Sequence, residues 1–153
     1  MTANVAGVLL AAGSGSRLGR PKALVVVGGQ SLIERGVALL RNGGAHPVIV
    51  VTGAAEPADR PGGAIMVHNP DWATGMGSSL AAGLAAVPPD CPAAVISLAD
   101  QPLVGPESVR RLIAAAASGA PVAVACYEGR PRNPVLIGRE HWPAVLALSL
   151  IHI

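Results

Sequence analysis

The chain has 153 residues, 51% of them hydrophobic and 13% charged, which suits one compact domain and excludes both a charge-rich disordered tail and a pair of ordinary domains. The formal net charge is +2 with no run of Lys or Arg, and aromatics make up 2%, so a nucleic-acid stacking platform is excluded. No apolar run reaches the roughly 18 residues of a membrane span and no basic stretch precedes an apolar start, so neither membrane nor secretion is expected and the expected location is the cytoplasm.

With no Phe in the chain, the core must come from Val, Leu, Ile and Ala. The first expected strand is 5–10, Val-Ala-Gly-Val-Leu-Leu, an apolar run without polar alternation, as in a strand buried on both faces. A Gly-rich loop follows. Helical spacing of Leu32, Val37, Leu39 and Leu40 predicts a helix over 31–41, ended by Gly43-Gly44. Strands are expected at 48–51 and, shorter, at 65–67. A second helix is expected at 79–87, stopped by Pro88-Pro89, then a strand at 93–98. The third helix, 106–118, opens on Pro106 and Glu107, both favourable in a first turn, and closes at Gly119. Strands at 121–125 and 134–137 complete the set. Alternating strands and helices predict a three-layer α/β/α fold with a mostly parallel open sheet, Rossmann-like in type. In such sheets ligands bind beyond the carboxyl ends of the strands, which directs attention to the residues after Leu10, Val51 and Leu98.

The loop after the first strand reads Ala11-Ala12-Gly13-Ser14-Gly15-Ser16-Arg17-Leu18-Gly19-Arg20-Pro21-Lys22. Its small residues let the backbone approach an anion, Arg17 offers a planar fork to phosphate oxygens, and Lys22 (the chain's one lysine) offers a point charge. A Walker A loop fails, because the lysine follows Pro21 and precedes Ala23. A dinucleotide fingerprint fails as well. Pro21 would break the helix it needs, and Thr52-Gly53-Ala54 stands where an acid should close the second strand.

Leu10-Ala11-Ala12-Gly13, Arg17, Gly19 and Lys22 resemble the signature of the MobA-like nucleotidyltransferases, although Gly15 stands where a Ser is common. Asn69-Pro70-Asp71-Trp72 through Gly75-Met76-Gly77-Ser78-Ser79-Leu80 is similar to the branch that makes cytidylyl derivatives of the molybdenum cofactor. Leu98-Ala99-Asp100-Gln101-Pro102 is similar to that family's Asp-x-Pro metal site. The resemblance covers essentially the whole chain. It implies a nucleotidyltransferase fold and transfer of CMP from CTP to the phosphate of a molybdopterin-type acceptor, with Mg2+ held by Asp100. It makes Lys22, Asp100 and Arg17 the catalytic candidates. Leu10, Ala11, Ala12, Gly13, Arg17, Lys22, Gly53, Asn69, Ser78 and Asp100 become the nucleotide-binding candidates, with Ala12 in the form of the turn that goes with cytidine. The chemistry is consistent: a triphosphate and an anionic acceptor react slowly unless clamped, neutralised and held in line. Ser78 and Ser79 are expected to open a helix, as caps or at an anion site. Trp72 is expected as a lid or as core.

Further along, Arg130 and Arg132 are candidates for the acceptor phosphate, and Asn133 stands where relatives carry a His. The four His make no ligand spacing, and Cys91 and Cys126 are expected as small core residues. The resemblance also implies a longer chain with a second acidic metal ligand. The expected organisation is therefore one shortened domain over 1–148, with 149–153 set apart as a non-native tail and turnover slow. A homodimer and a molybdoenzyme chaperone are the expected protein partners. Transfer from another triphosphate or to a sugar phosphate, and a non-catalytic nucleotide-binding module, stay open as alternatives.

Overall fold

The structure is a computed structural model. It describes residues 4–11, 26–27, 30–53, 61–99, 105–127 and 130–151. Eight strands and four α-helices appear among them. In chain order they are β1 (Val5–Ala11), β2 (Val26–Val27), β3 (Gln30–Ser31), α1 (Leu32–Asn42), β4 (Val48–Thr52), β5 (Ile65–His68), α2 (Met76–Ala85), β6 (Ala93–Leu98), α3 (Pro106–Ala117), β7 (Val122–Tyr127), β8 (Arg130–Gly138) and α4 (Trp142–Ile151).

Six strands form the main sheet in the order β5-β4-β1-β6-β8-β7. β5, β4, β1 and β6 run parallel, whereas β8 is antiparallel to both β6 and β7. Only β8 is therefore reversed. It follows β7 directly, and a short connection can only fold the chain back antiparallel. The short ribbon of β2 and β3 stands apart and leads into α1.

The fully buried pattern of β1 and β4 follows from helices on both faces. On one side Leu9, Val50 and Val95 pack with Ile33, Val37 and Leu40 of α1 and Val109 and Leu112 of α3. On the other, Val8, Val51 and Ile96 pack with Leu80 and Leu84 of α2 and Trp142 of α4. Side chains such as Leu9, Ile33 and Ile49 are wholly buried, and each contributes about 1.5–3 kcal/mol. Helix α2 comes so close to the sheet that a Cβ on Gly83 would sit 2.6 Å from Val8 Cγ1 and 3.0 Å from Val51 Cγ2.

Helices α1 and α3 form within a residue of their expected bounds, with Ser31 standing just outside α1. Ser31 caps α1 in a reciprocal box: its Oγ accepts from Glu34 N at 3.1 Å and its N–H donates to Glu34 Oε1 at 3.3 Å. Pro106 stands in the first turn of α3 with Glu107 beside it. Several expectations need correction. Helix α2 starts at Met76 rather than at 79, because Gly75 at φ 127° turns the chain into it. It also ends at Ala85. Ser78 and Ser79 accordingly lie inside the first turns and are not its cap. Strands β7 and β8 extend beyond 121–125 and 134–137, pairing with each other as far as Tyr127 and Arg130.

Helix α4 was not expected; it continues through Ser149 to Ile151, into the pentapeptide set apart above. It is tied to the rest by Arg139. That guanidinium donates from Nε to Cys91 O (2.9 Å) and from Nη2 to Pro88 O (2.6 Å), and lies 4.3 Å over the Trp142 ring. Trp142 Nε1 donates to Ile137 O at 3.0 Å. Cys91 is buried, as expected, and burial pushes its thiol pKa up, with Asp90 adding to the rise. Among the described residues no helix is long and apolar enough to cross a membrane.

Candidate functional site

Four parallel strands finish side by side at one end of the sheet. Ala11 of β1 stands opposite Thr52 of β4, and Thr52 opposite His68 of β5. On the other flank Leu10 stands opposite Leu98 of β6. Ala99 N donates to Leu10 O at 3.0 Å just past the last pair. At the spacing of neighbouring strands, the row from β5 to β6 is roughly 14 Å wide. The segments singled out for the nucleotide start from this row: the Gly-rich loop from Ala11, Gly53 from β4, Asn69 from β5, and the Asp100 turn from Ala99. Ala12, Gly13, Arg17, Lys22 and Asp100 themselves lie outside the described residues, as do the side chains of Arg130, Arg132 and Asn133. Leu10, Ala11 and Gly53 are buried.

The described part of the site is densest at Asn69, which is 4% exposed. Its N–H donates to Thr52 O at 2.7 Å, pinning the end of β5 to the end of β4. Its Oδ1 accepts from Asp71 N at 2.9 Å, the turn an Asn before Pro70 is suited to make. The Nδ2 group donates to Ser78 Oγ and to Ser79 Oγ, each at 2.9 Å. Ser78 Oγ in turn lies 2.9 Å from Gly75 O and 3.0 Å from Asp71 O. A 3-10 turn over Trp72–Thr74, closed by Thr74 Oγ1 on Asp71 O at 2.7 Å, completes the link from β5 to α2. Trp72 is half-buried within it and Met76 is 58% exposed at the start of α2.

The structure thus brings Leu10, Ala11, Gly53, Asn69 and Ser78 to one end of the sheet. The part of Ser79 in this network was not expected. The signal available was its spacing: a serine in the turn after a helix start, ten residues beyond an Asn that ends a strand. Thr52 is also buried there, its hydroxyl donating to Val67 O at 3.4 Å. Among the described residues no group of three His, Cys, Asp or Glu could hold a metal ion. The acid that the sequence places at this end is Asp100, the residue after Ala99.

Comparison with known proteins agrees with this fold. Residues 7–152 match the MobA-like NTP transferase domain. The chain is 38% identical over 151 residues to nicotine blue oxidoreductase of Paenarthrobacter nicotinovorans, a match covering 95% of this chain and 72% of that protein. It is 34% identical to molybdenum cofactor guanylyltransferase of Rhizobium meliloti, over 94% of this chain and 65% of that protein. It spans only 26% of the bifunctional IPC transferase and DIPP synthase of Rubrobacter xylanophilus. Among solved structures, Rv0371c of Mycobacterium tuberculosis superposes with a TM-score of 0.84 at 26% identity, covering 100% of this chain and 84% of that one.

Proposed function

Since the chain belongs to the MobA-like NTP transferase domain family, and so is a nucleotidyltransferase, we propose that it moves CMP from CTP to the phosphate of a molybdopterin-type acceptor and releases pyrophosphate. The observation that carries this reading is the convergence of the β1, β4, β5 and β6 ends, from which all three sequence motifs depart. An acceptor phosphate oxygen attacks the α-phosphorus. The bond from that phosphorus to the oxygen bridging to the β-phosphorus breaks, and pyrophosphate leaves with the electron pair.

In this reading the backbone of Leu10, Ala11, Ala12 and Gly13 faces the base, and Gly53, Asn69 and Ser78 belong to the same nucleotide site. Arg17 and Lys22 hold the triphosphate; Lys22 follows charge onto the α-phosphate or the departing pyrophosphate. Asp100 would hold a divalent cation. A single carboxylate would suit Mg2+, a cation that commonly needs only one or two from the protein. When bound, the cation supplies neutralisation of the triphosphate charge. CTP is favoured by Ala12 in the base-reading turn, and GTP is the competitor that the guanylyltransferase relative brings. The partner readings, a homodimer or a molybdoenzyme chaperone, belong to the same proposal.

A second reading rests on the 38% identical relative named nicotine blue oxidoreductase. One experiment separates the two. The chain is given α-phosphorus-labelled CTP or GTP with Mg2+ and molybdopterin and, in a parallel arm, nicotine blue with a reduced nicotinamide as electron donor. Label recovered on molybdopterin from CTP supports the proposal. Label from GTP alone moves the specificity to guanylyl, and bleaching of nicotine blue without label transfer selects the oxidoreductase.

A further inference from the structure

We infer that Asn69 and Ser78 serve the proposed transfer as positioning residues, locking the start of α2 to the ends of β4 and β5, and do not themselves touch the nucleotide. The inference rests on the nucleotidyl-transfer reading and makes one part of it sharper. The Asp71 N–H settles which way the Asn69 amide faces, because only its oxygen can accept that proton. Both amide hydrogens then point at the two serine oxygens. Asn69 has no donor left, and at 4% exposure it offers almost no surface. Ser78 is committed as well. Its oxygen accepts from Asn69, and its single proton goes to Gly75 O or Asp71 O. A ligand oxygen that took a hydrogen bond from either side chain would have to break the brace.

What the brace does is mechanical. Through the Asn69 N–H on Thr52 O it reaches β4, and through the two serines it reaches the first turns of α2. It thereby sets where α2 begins relative to Thr52 and to Ala11 beside it. Misplacement by about 1 Å of groups that hold a reactant costs on the order of a hundredfold.

The test uses pyrophosphate-release kinetics on the full chain, with the thermal midpoint of each variant measured alongside. Asn69→Asp keeps the shape and the acceptor for Asp71 N but loses both donors. It should raise KM for the triphosphate about tenfold, with kcat changed less. Ser78→Ala should raise KM in the same direction, by about threefold. Ser78→Thr, which keeps the hydroxyl, should restore it. Because the two residues act as one unit, the double variant Asn69→Asp/Ser78→Ala should be no worse than Asn69→Asp alone. Effects that multiply would mean two independent ligand contacts and overturn the inference. So would an unchanged KM with a lowered thermal midpoint, the result of a purely structural role. If Asn69→Asp does not fold, the Ser78→Ala and Ser78→Thr pair decides alone, by the same KM criterion. Wild-type protein that releases no pyrophosphate from any triphosphate overturns the transfer reading and this inference with it. Wild-type turnover with KM unmoved in the variants overturns the inference only.

Discussion

Ala99 donates its backbone N–H to the carbonyl oxygen of Leu10 at 3.0 Å, one step beyond the last paired residues of β6 and β1. Leu10 leads into the Ala11-Ala12-Gly13 turn and Ala99 leads into Asp100, so one hydrogen bond stands at the root of both motifs. Ala99→Pro removes that donor. It should cost about 1–3 kcal/mol by urea denaturation and lower the rate of pyrophosphate release further than the stability loss explains. Ala99→Gly, which keeps the N–H, should retain the rate.

Gly83 marks how closely α2 lies on the sheet. Alanine there would gain about 1 kcal/mol of helix propensity. Its Cβ, however, would stand 2.6 Å from Val8 Cγ1, on a stiff side chain in a packed strand. Overpacking of that kind costs roughly 1–3 kcal/mol, so Gly83→Ala should lower the urea midpoint despite its better propensity. A raised midpoint would show that the sheet yields.

Arg139 gives a test of stability away from the site. It donates to Cys91 O and Pro88 O and covers Trp142, at the end of the sheet where β6 begins. Arg139→Met should cost about 2–4 kcal/mol through the lost charge-assisted bonds and the lost cation–π contact. KM for the triphosphate should not move, since the candidate site lies at the opposite end of β6.

The Cys91 thiol titrates above its ordinary value of 9.0, chiefly because it is buried and secondly because Asp90 is near. A group whose pKa is raised on folding binds its proton more tightly in the folded chain. Its contribution is complete below the unfolded value and is lost as pH rises through the folded one. Stability should therefore fall as pH rises above the ordinary thiol value of 9.0, more steeply in the wild type than in Cys91→Ala. Parallel curves in chemical denaturation at several pH values would contradict this.

Much of the fold could be read in the residues, for physical reasons that differ by element. β1 and β4 are buried on both faces, so they read as unbroken apolar runs. α1 carries its capping box and an apolar stripe. α4 gave no such signal, because Trp142-Pro143-Ala144-Val145-Leu146-Ala147-Leu148 is apolar on every side and holds no helical period. The start of α2 was missed because its cap is a glycine at positive φ, which bonds through no side chain. Of the candidate site, the motif positions were visible as residue types after buried strands. The brace was not, since it joins Asn69 to Ser78 and Ser79 through a turn whose shape depends on Asp71 and Gly75 together.

The central claim is the proposal that the loop after β1 holds a nucleoside triphosphate and that Asp100 would hold the divalent cation that neutralises its charge. The most direct measurement is the initial rate of pyrophosphate release from CTP, with molybdopterin and Mg2+ present, in the wild type and in Asp100→Ala. A wild-type rate that Mg2+ removal abolishes, and that Asp100→Ala lowers by at least about a hundredfold, is the predicted result. Equal rates in the two proteins would contradict it.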